Sequence, residues 1–162
     1  MMPNAVYSYA PRGETPELKA SLSRDRLSAI SAITPEGKLY TMVRDGAFDG
    51  AAIVRFLRHL LGQIEGKLLI IWDGLPAHRS KRVKRFLREE AQGRVHLERL
   101  PGYAPDLNPD EGIWQYLKNV ELKGVCCRKL EQLRRELRLA IKRLRHKCEV
   151  IISCFAMAGL SL

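Results

Sequence analysis

Apolar positions change their spacing from segment to segment along this chain, and the spacing predicts the elements. Residues 26–33, RLSAISAI, alternate partly between apolar and polar, which predicts a strand. Pro35-Glu36-Gly37 is a turn signal, so Lys38–Val43 is expected to form the second strand of a hairpin. After Asp49, a good helix-capping residue, Ile53, Phe56, Leu57, Leu60 and Leu61 recur at helical spacing. A helix is therefore expected over about 50–63, with Gly66 ending that region. Residues 67–73, KLLIIWD, form a short continuous apolar run, the pattern of a strand buried on both faces of a sheet. A basic amphipathic helix is expected over about 78–91, with Val83, Phe86 and Leu87 inward. Residues 94–99 alternate as a further strand, and PGYAPDLNP is a rigid loop. Its last proline suits the first turn of a helix over about 109–122. A long helix over about 127–147 would bury Leu130, Leu133, Leu137, Ile141 and Leu144. The apolar end, EVIISCFAMAGLSL, is expected to pack as a last helix or to meet a partner chain. Residues 1–24 read as an extended opening punctuated by Pro11, Gly13 and Pro16.

Strands and helices in this order predict an α/β domain with a mixed sheet flanked by helices, with further helices at the carboxyl end. At 162 residues and 46% hydrophobic content, the chain suits one compact domain over 1–162. No run of about 18 apolar residues occurs, so no membrane span is expected. The opening MMPNAVYSYAPRG lacks the basic-then-apolar order of a signal peptide, which favours a cytoplasmic location. Cys126, Cys127, Cys148 and Cys154 match no metal-knuckle spacing and are expected as reduced thiols. A net charge of +10 and a pI near 9.8 favour a polyanionic partner, although a soluble protein with excess lysine and arginine has the same composition.

Two carboxylates stand where such a fold presents ligands. Asp73 ends the apolar strand, and open α/β sheets gather their chemistry at that edge. Asp73 could equally just open the turn DGLP. Glu111 lies in the first turn of the helix after the loop, where a negative charge also stabilises the helix by itself. Asp110 competes with it, but adjacent helical side chains point about 100° apart, so only one can face a given cleft. The helix, strand and loop between Asp73 and Glu111 could bring the two together. Such a pair suits Mg²⁺, a hard ion held by oxygen ligands and often shared with phosphate.

The residues then become recognisable. LLIIWDGLPAHRSKRVKRFLREE followed by VHLERLPGYAPDLNPDEGIWQYLK resembles bacterial insertion-sequence transposases of the mariner-like, DDE superfamily. That family's pattern is an apolar strand ending in Asp, a histidine five residues on, then L-P-x-Y-[SA]-P-[DE]-L-N-P-x-E-x-x-W. Asp73, His78, Leu100, Pro101, Tyr103, Ala104, Pro105, Asp106, Leu107, Asn108, Pro109, Glu111 and Trp114 supply it here. The upstream YAPRGETPEL also looks like the family's aromatic-Ala-Pro-x-Gly-x-Thr-Pro stretch. The resemblance covers about residues 7–123. It implies a ribonuclease-H-like fold and Mg²⁺- or Mn²⁺-dependent cleavage and strand transfer on double-stranded DNA, at element ends and target. It makes Asp73 the second catalytic, metal-binding acid and Glu111 the third.

The same resemblance marks the differences. The family carries Asp-Glu before the strand that leads into the Ala-Pro-x-Gly motif; this sequence opens MMPNAVYSYAP, with Asp25, Asp45 and Asp49 as conceivable substitutes. Many relatives have Asn where this chain has Gly74. The chain is thus expected to be an amino-terminally incomplete catalytic domain without the family's helix-turn-helix region, inactive alone. The alternative is a non-catalytic remnant that binds DNA or pairs with an intact transposase. His78 and Asn108 are candidate accessory residues, although either could act only structurally. Arg79, Lys81, Arg82, Lys84, Arg85 and Arg88 are candidate contacts to the DNA backbone, or simply a solvated face. A second basic face, at Arg134, Arg135, Arg138, Lys142, Arg143, Arg145 and Lys147, carries the same two readings.

Overall fold

The computed structural model describes residue 12 and residues 27–127 and 129–160. The opening over 1–24 apart from Arg12, including the YAPRGETPEL stretch, and Asp25 lie outside the described residues. Strand β1 (Leu27–Ile33) pairs antiparallel with β2 (Leu39–Asp45), with Ile33 opposite Leu39 and Leu27 opposite Asp45. The turn between them needs Gly37, whose φ of 80° lies in the left-handed region. Its amide donates to the Thr34 carbonyl at 2.9 Å. β2 runs two residues past Val43, because Arg44 and Asp45 still find register partners in Ser28 and Leu27.

Helix α1 (Gly50–Gln63) begins at Asp49, whose carboxylate accepts from the Ala52 amide at 2.9 Å. β3 (Leu68–Trp72) then pairs parallel with β4 (Val95–Arg99), and α2 (Lys81–Glu89) forms the crossover. The helix expected from 78 is divided. Pro76–Arg79 form a short 3-10 turn, and Ser80 restarts the chain by capping α2 through the Val83 amide. One strand pair is antiparallel and the other parallel; among the described residues they form two two-stranded sheets.

Helix α3 (Pro109–Tyr116) continues into a widened π turn at Leu117–Glu121. The Leu122 amide bonds the Leu117 carbonyl five residues back at 2.9 Å. That extra residue keeps Leu117 and Leu122 both buried. The long carboxyl-terminal helix ends earlier than expected: α4 (Leu130–Arg145) is followed by α5 (Cys148–Met157). Five helices with these two sheets agree with the α/β, ribonuclease-H-like expectation. None of the described helices is long and apolar enough to cross a membrane.

Two apolar clusters lie on opposite faces of β1. Ile30 packs with Ile70 and Trp72 of β3 against Ile53, Val54, Leu57, Val83 and Phe86 of α1 and α2. Leu27, Ala29 and Ile33 pack against Ile113, Leu117, Leu137, Ile141, Leu144 and Ile151 of α3 to α5. β3 corrects an expectation: it is not buried on both faces. Ile70 and Trp72 meet the α1–α2 layer, while Leu69 and Ile71 on the other face are 62% and 53% exposed.

Charge also holds α4 in place. Arg143 and Lys147 both reach the Glu121 carboxylate, at 2.6 and 2.7 Å. Burial raises the pKa of that carboxyl, but the hydrogen bonds from Lys147 and Arg143 more than offset it and hold it low.

α3 and α5 meet at a glycine. A Cβ at Gly112 would lie 2.8 Å from the Sγ of the buried Cys154. Gly112→Ala should therefore destabilise the fold by about 1–2 kcal/mol, because overpacking outweighs the helix-propensity gain of alanine. Cys154→Ala in the same chain should recover most of that loss. Urea unfolding of the two variants checks this, and a stability unchanged in Gly112→Ala would contradict the contact.

Candidate active site

Asp73 follows the last residue of β3, and the protein holds one of its two oxygens. Oδ1 accepts from the Leu75 amide at 3.1 Å and lies 3.0 Å from His78 Nδ1. His78 is 7% exposed and stacks on Trp72, with ring centroids 4.2 Å apart and planes 1° from parallel. Its Nδ1 also lies 3.2 Å from the Asp73 carbonyl. Two oxygen acceptors stand in front of Nδ1, while Nε2 is buried without a partner among the described residues. Oδ2 of Asp73 takes no protein hydrogen bond among the described residues, and the side chain is half exposed. The imidazole thus sets the rotamer of a carboxylate whose second oxygen remains available.

Across from it, α3 starts at Asn108. The Asn108 side chain accepts from the Asp110 amide at 3.2 Å, and Pro109 fills the first helical position. Asn108 therefore fixes where the helix begins. Glu111 is exposed. Asp110 turns the other way: Ser31 Oγ on β1 lies 2.7 Å from each of its oxygens, and Trp114 Nε1 donates to Oδ2 at 3.0 Å. Burial pushes the Asp110 carboxyl pKa up. The Ser31 and Trp114 hydrogen bonds oppose that, and the charges of Glu111 and Asp73 add to it. The net shift is upward. Asp110 is thus half-buried and held between β1 and α3 by hydrogen bonds, whereas Glu111 stands exposed at the start of the same helix.

Asp45 and Asp49 have structural employment. Asp45 pairs with Arg134, and Asp49 caps α1 and pairs with Arg44 at 3.2 Å. Among the described residues no group of three His, Cys, Asp or Glu side chains converges as a metal site. Asp73 and Glu111 are oxygen donors of the kind a hard divalent ion takes, but no step can be built on an ion with this set alone.

The two basic faces differ. Arg79, Lys81, Arg82, Lys84, Arg85 and Arg88 are all exposed. Arg85 and Arg88 share Glu89 at 2.7 and 2.8 Å, whereas the other four make no hydrogen bond or ion pair among the described residues. On the second face, Arg134, Arg143, Arg145 and Lys147 are engaged with Asp45, Glu121, Thr41 and Tyr116. Those four tie α4 and the chain after it to the rest of the fold. Sequence reasoning did not find the Ser31–Asp110–Trp114 cluster. Its only sequence signal is the four-residue spacing of Asp110 and Trp114, one turn of helix.

The family described as DDE superfamily endonuclease matches residues 2–134. Curated proteins return no match.

The raised Asp110 pKa has a definite sign. The folded chain holds this proton to higher pH than the unfolded chain, so the favourable contribution is full below the ordinary carboxylate value of about 3.9. It is lost as pH rises through the folded value. Asp110→Asn keeps an oxygen acceptor for Ser31 and Trp114 without the charge. It should melt above wild type near neutral pH, by roughly 2–4 °C for each kcal/mol recovered. The gap should close in acid. Melting curves across pH test this, and a variant no more stable than wild type at neutral pH would sink it.

Proposed function

The chain belongs to the DDE superfamily endonucleases, and on that footing we propose that it is a DNA transposase catalytic domain of the mariner-like, bacterial insertion-sequence type. Members of the family act on DNA and use divalent metal ions. The proposed reaction is cleavage at element ends followed by strand transfer into target DNA. The carrying observation is Asp73 at the carboxyl end of β3, with Oδ1 held by His78 and Leu75 and Oδ2 unspent among the described residues. In this reading Asp73 and Glu111 would hold Mg²⁺ or Mn²⁺, which would supply Lewis acidity for phosphodiester chemistry when bound. His78 orients Asp73, and Asn108 sets the helix that carries Glu111. The free cations on and just before α2, Arg79, Lys81, Arg82 and Lys84, contact the DNA backbone, and Arg85 and Arg88 contribute after sharing Glu89. The location that follows is the bacterial nucleoid.

A second reading has its own support. With no three metal-ligating side chains converging among the described residues, and with Asp45 and Asp49 committed elsewhere, the second reading is a domain that binds DNA without cleaving it. It would then work as a homodimer or beside an intact transposase. Leu139, Ile152, Met157 and Leu160 are exposed apolar positions on and after α4 and α5 that suit such an association.

Binding and cleavage separate the readings. The chain should bind duplex DNA with little sequence preference, and log affinity should fall against log salt by about 0.9 per phosphate neutralised. Salt-independent affinity would refute the DNA reading. In a nicking assay on element-end duplex with Mg²⁺ or Mn²⁺, the chain alone should give no cleavage above background. Robust cleavage abolished by Asp73→Ala would show that the first acid lies within this sequence.

A further inference from the structure

Gly74 directly follows Asp73. Its φ is not positive, so backbone conformation does not require glycine there. Space does. A Cβ at Gly74 would lie 2.7 Å from Nη2, 3.1 Å from Nε and 3.2 Å from Cζ of Arg99. Three guanidinium atoms at such distances mean that the group lies across the bare Gly74 backbone. The sheet explains how it gets there. Arg99 ends β4 and is the register partner of Trp72, which ends β3. The Leu100 amide donates to the Trp72 carbonyl at 2.9 Å, so the two strands stay paired up to their carboxyl ends. Arg99 therefore leaves the sheet beside Asp73 and reaches forward over the next residue.

What the guanidinium does not do matters as much. Arg94, at the other end of this strand region, spends its guanidinium on the Gly66 and Ile64 carbonyls, at 2.9 Å each. Arg58 spends its own on Glu90. Arg99 is exposed and makes no hydrogen bond or ion pair among the described residues, and it does not pair with Asp73. Its head is seated but its donors are unspent. A guanidinium stays charged at any working pH and presents a fork of donors that matches two phosphate oxygens.

We propose that Arg99, seated over Gly74, is a phosphate-binding residue of the candidate active site and holds a DNA backbone phosphate beside Asp73. The proposal rests on the DNA-cleavage reading. It gives Gly74 a purpose: any side chain there would push the guanidinium off its seat. It also divides the labour at the strand ends, since Asp73 stays free for a cation while Arg99 takes the anion.

A double-mutant cycle read by DNA binding tests it without requiring cleavage. Wild type, Arg99→Ala, Gly74→Ala and the double variant are titrated with labelled duplex DNA over a series of salt concentrations. Arg99→Ala should weaken binding about tenfold at low salt and reduce the log–log salt slope by about 0.9, the loss of one phosphate contact. Arg99→Lys should restore the slope but only part of the affinity. Gly74→Ala should weaken binding several-fold when Arg99 is present and leave it unchanged when Arg99 is already alanine. Lys84→Ala removes one charge from α2 and should add independently to Gly74→Ala. Arg99 is exposed, so its variants are expected to fold, and thermal melts confirm it for all of them. Unchanged affinity and slope in Arg99→Ala overturn the proposal. So does a Gly74→Ala effect of equal size in both backgrounds. If Lys84→Ala weakens binding while Arg99→Ala does not, the DNA reading stands and this inference falls. If wild type binds no DNA, both fall.

Discussion

β1 is shared by both apolar clusters, and its period of two divides them. Leu27, Ala29 and Ile33 project to the α3–α5 side, and Ile30 to the α1–α2 side. A strand between two helix layers tolerates a polar side chain only where that side chain finds a partner. Ser31 points into the α3 layer, and Asp110 is the partner it finds. The hydroxyl thereby fixes where α3 docks, and Trp114 closes the same carboxylate from one turn further along. Glu111, about 100° around the helix from Asp110, is turned outward as a consequence. The position of the exposed acid is thus set by the burial of its neighbour.

The net charge of +10 serves two separate tasks. On and after α4 four of the cations work inward. Arg143 and Lys147 converge on Glu121 at the end of the π turn, and Arg134 and Arg145 reach β2. On α2 and just before it the cations point outward, and most have no carboxylate to hold them. Composition cannot distinguish these cases, because both are amphipathic helices with one basic face. The difference lies in what stands opposite, which is a property of the packed structure.

Much of the element order was readable because local chemistry and tertiary packing agree. Asp49 caps α1, Val83 and Phe86 turn inward on α2, and Asn108-Pro109 starts α3. The departures have particular causes. The start of α2 lies later because Ser80 caps it through the Val83 amide, after the 3-10 turn that holds His78. The π turn left no mark on the sequence, since it accommodates the burial of Leu117 and Leu122 together. KLLIIWD looked buried on both faces because continuous apolar runs usually are, yet only one face meets a helix layer among the described residues. At the candidate site, Asp73, His78 and Glu111 stood out by type and spacing. The partners of Asp110 and the seat of Arg99 did not, because Ser31 and Gly74 lie far from them in sequence.

The stack of Trp72 on His78 has an optical consequence. The chain has two tryptophans. Trp72 lies face to face with the imidazole that holds Asp73, and the indole of Trp114 bonds to Asp110. No indole sits in a remote part of the fold. The tryptophan emission of this protein, selected by excitation beyond the tyrosine band, therefore originates from the two sides of its acidic edge. Nearby imidazole and carboxyl groups alter indole emission, so the unlabelled chain carries its own reporter of events at that edge, with no background from elsewhere.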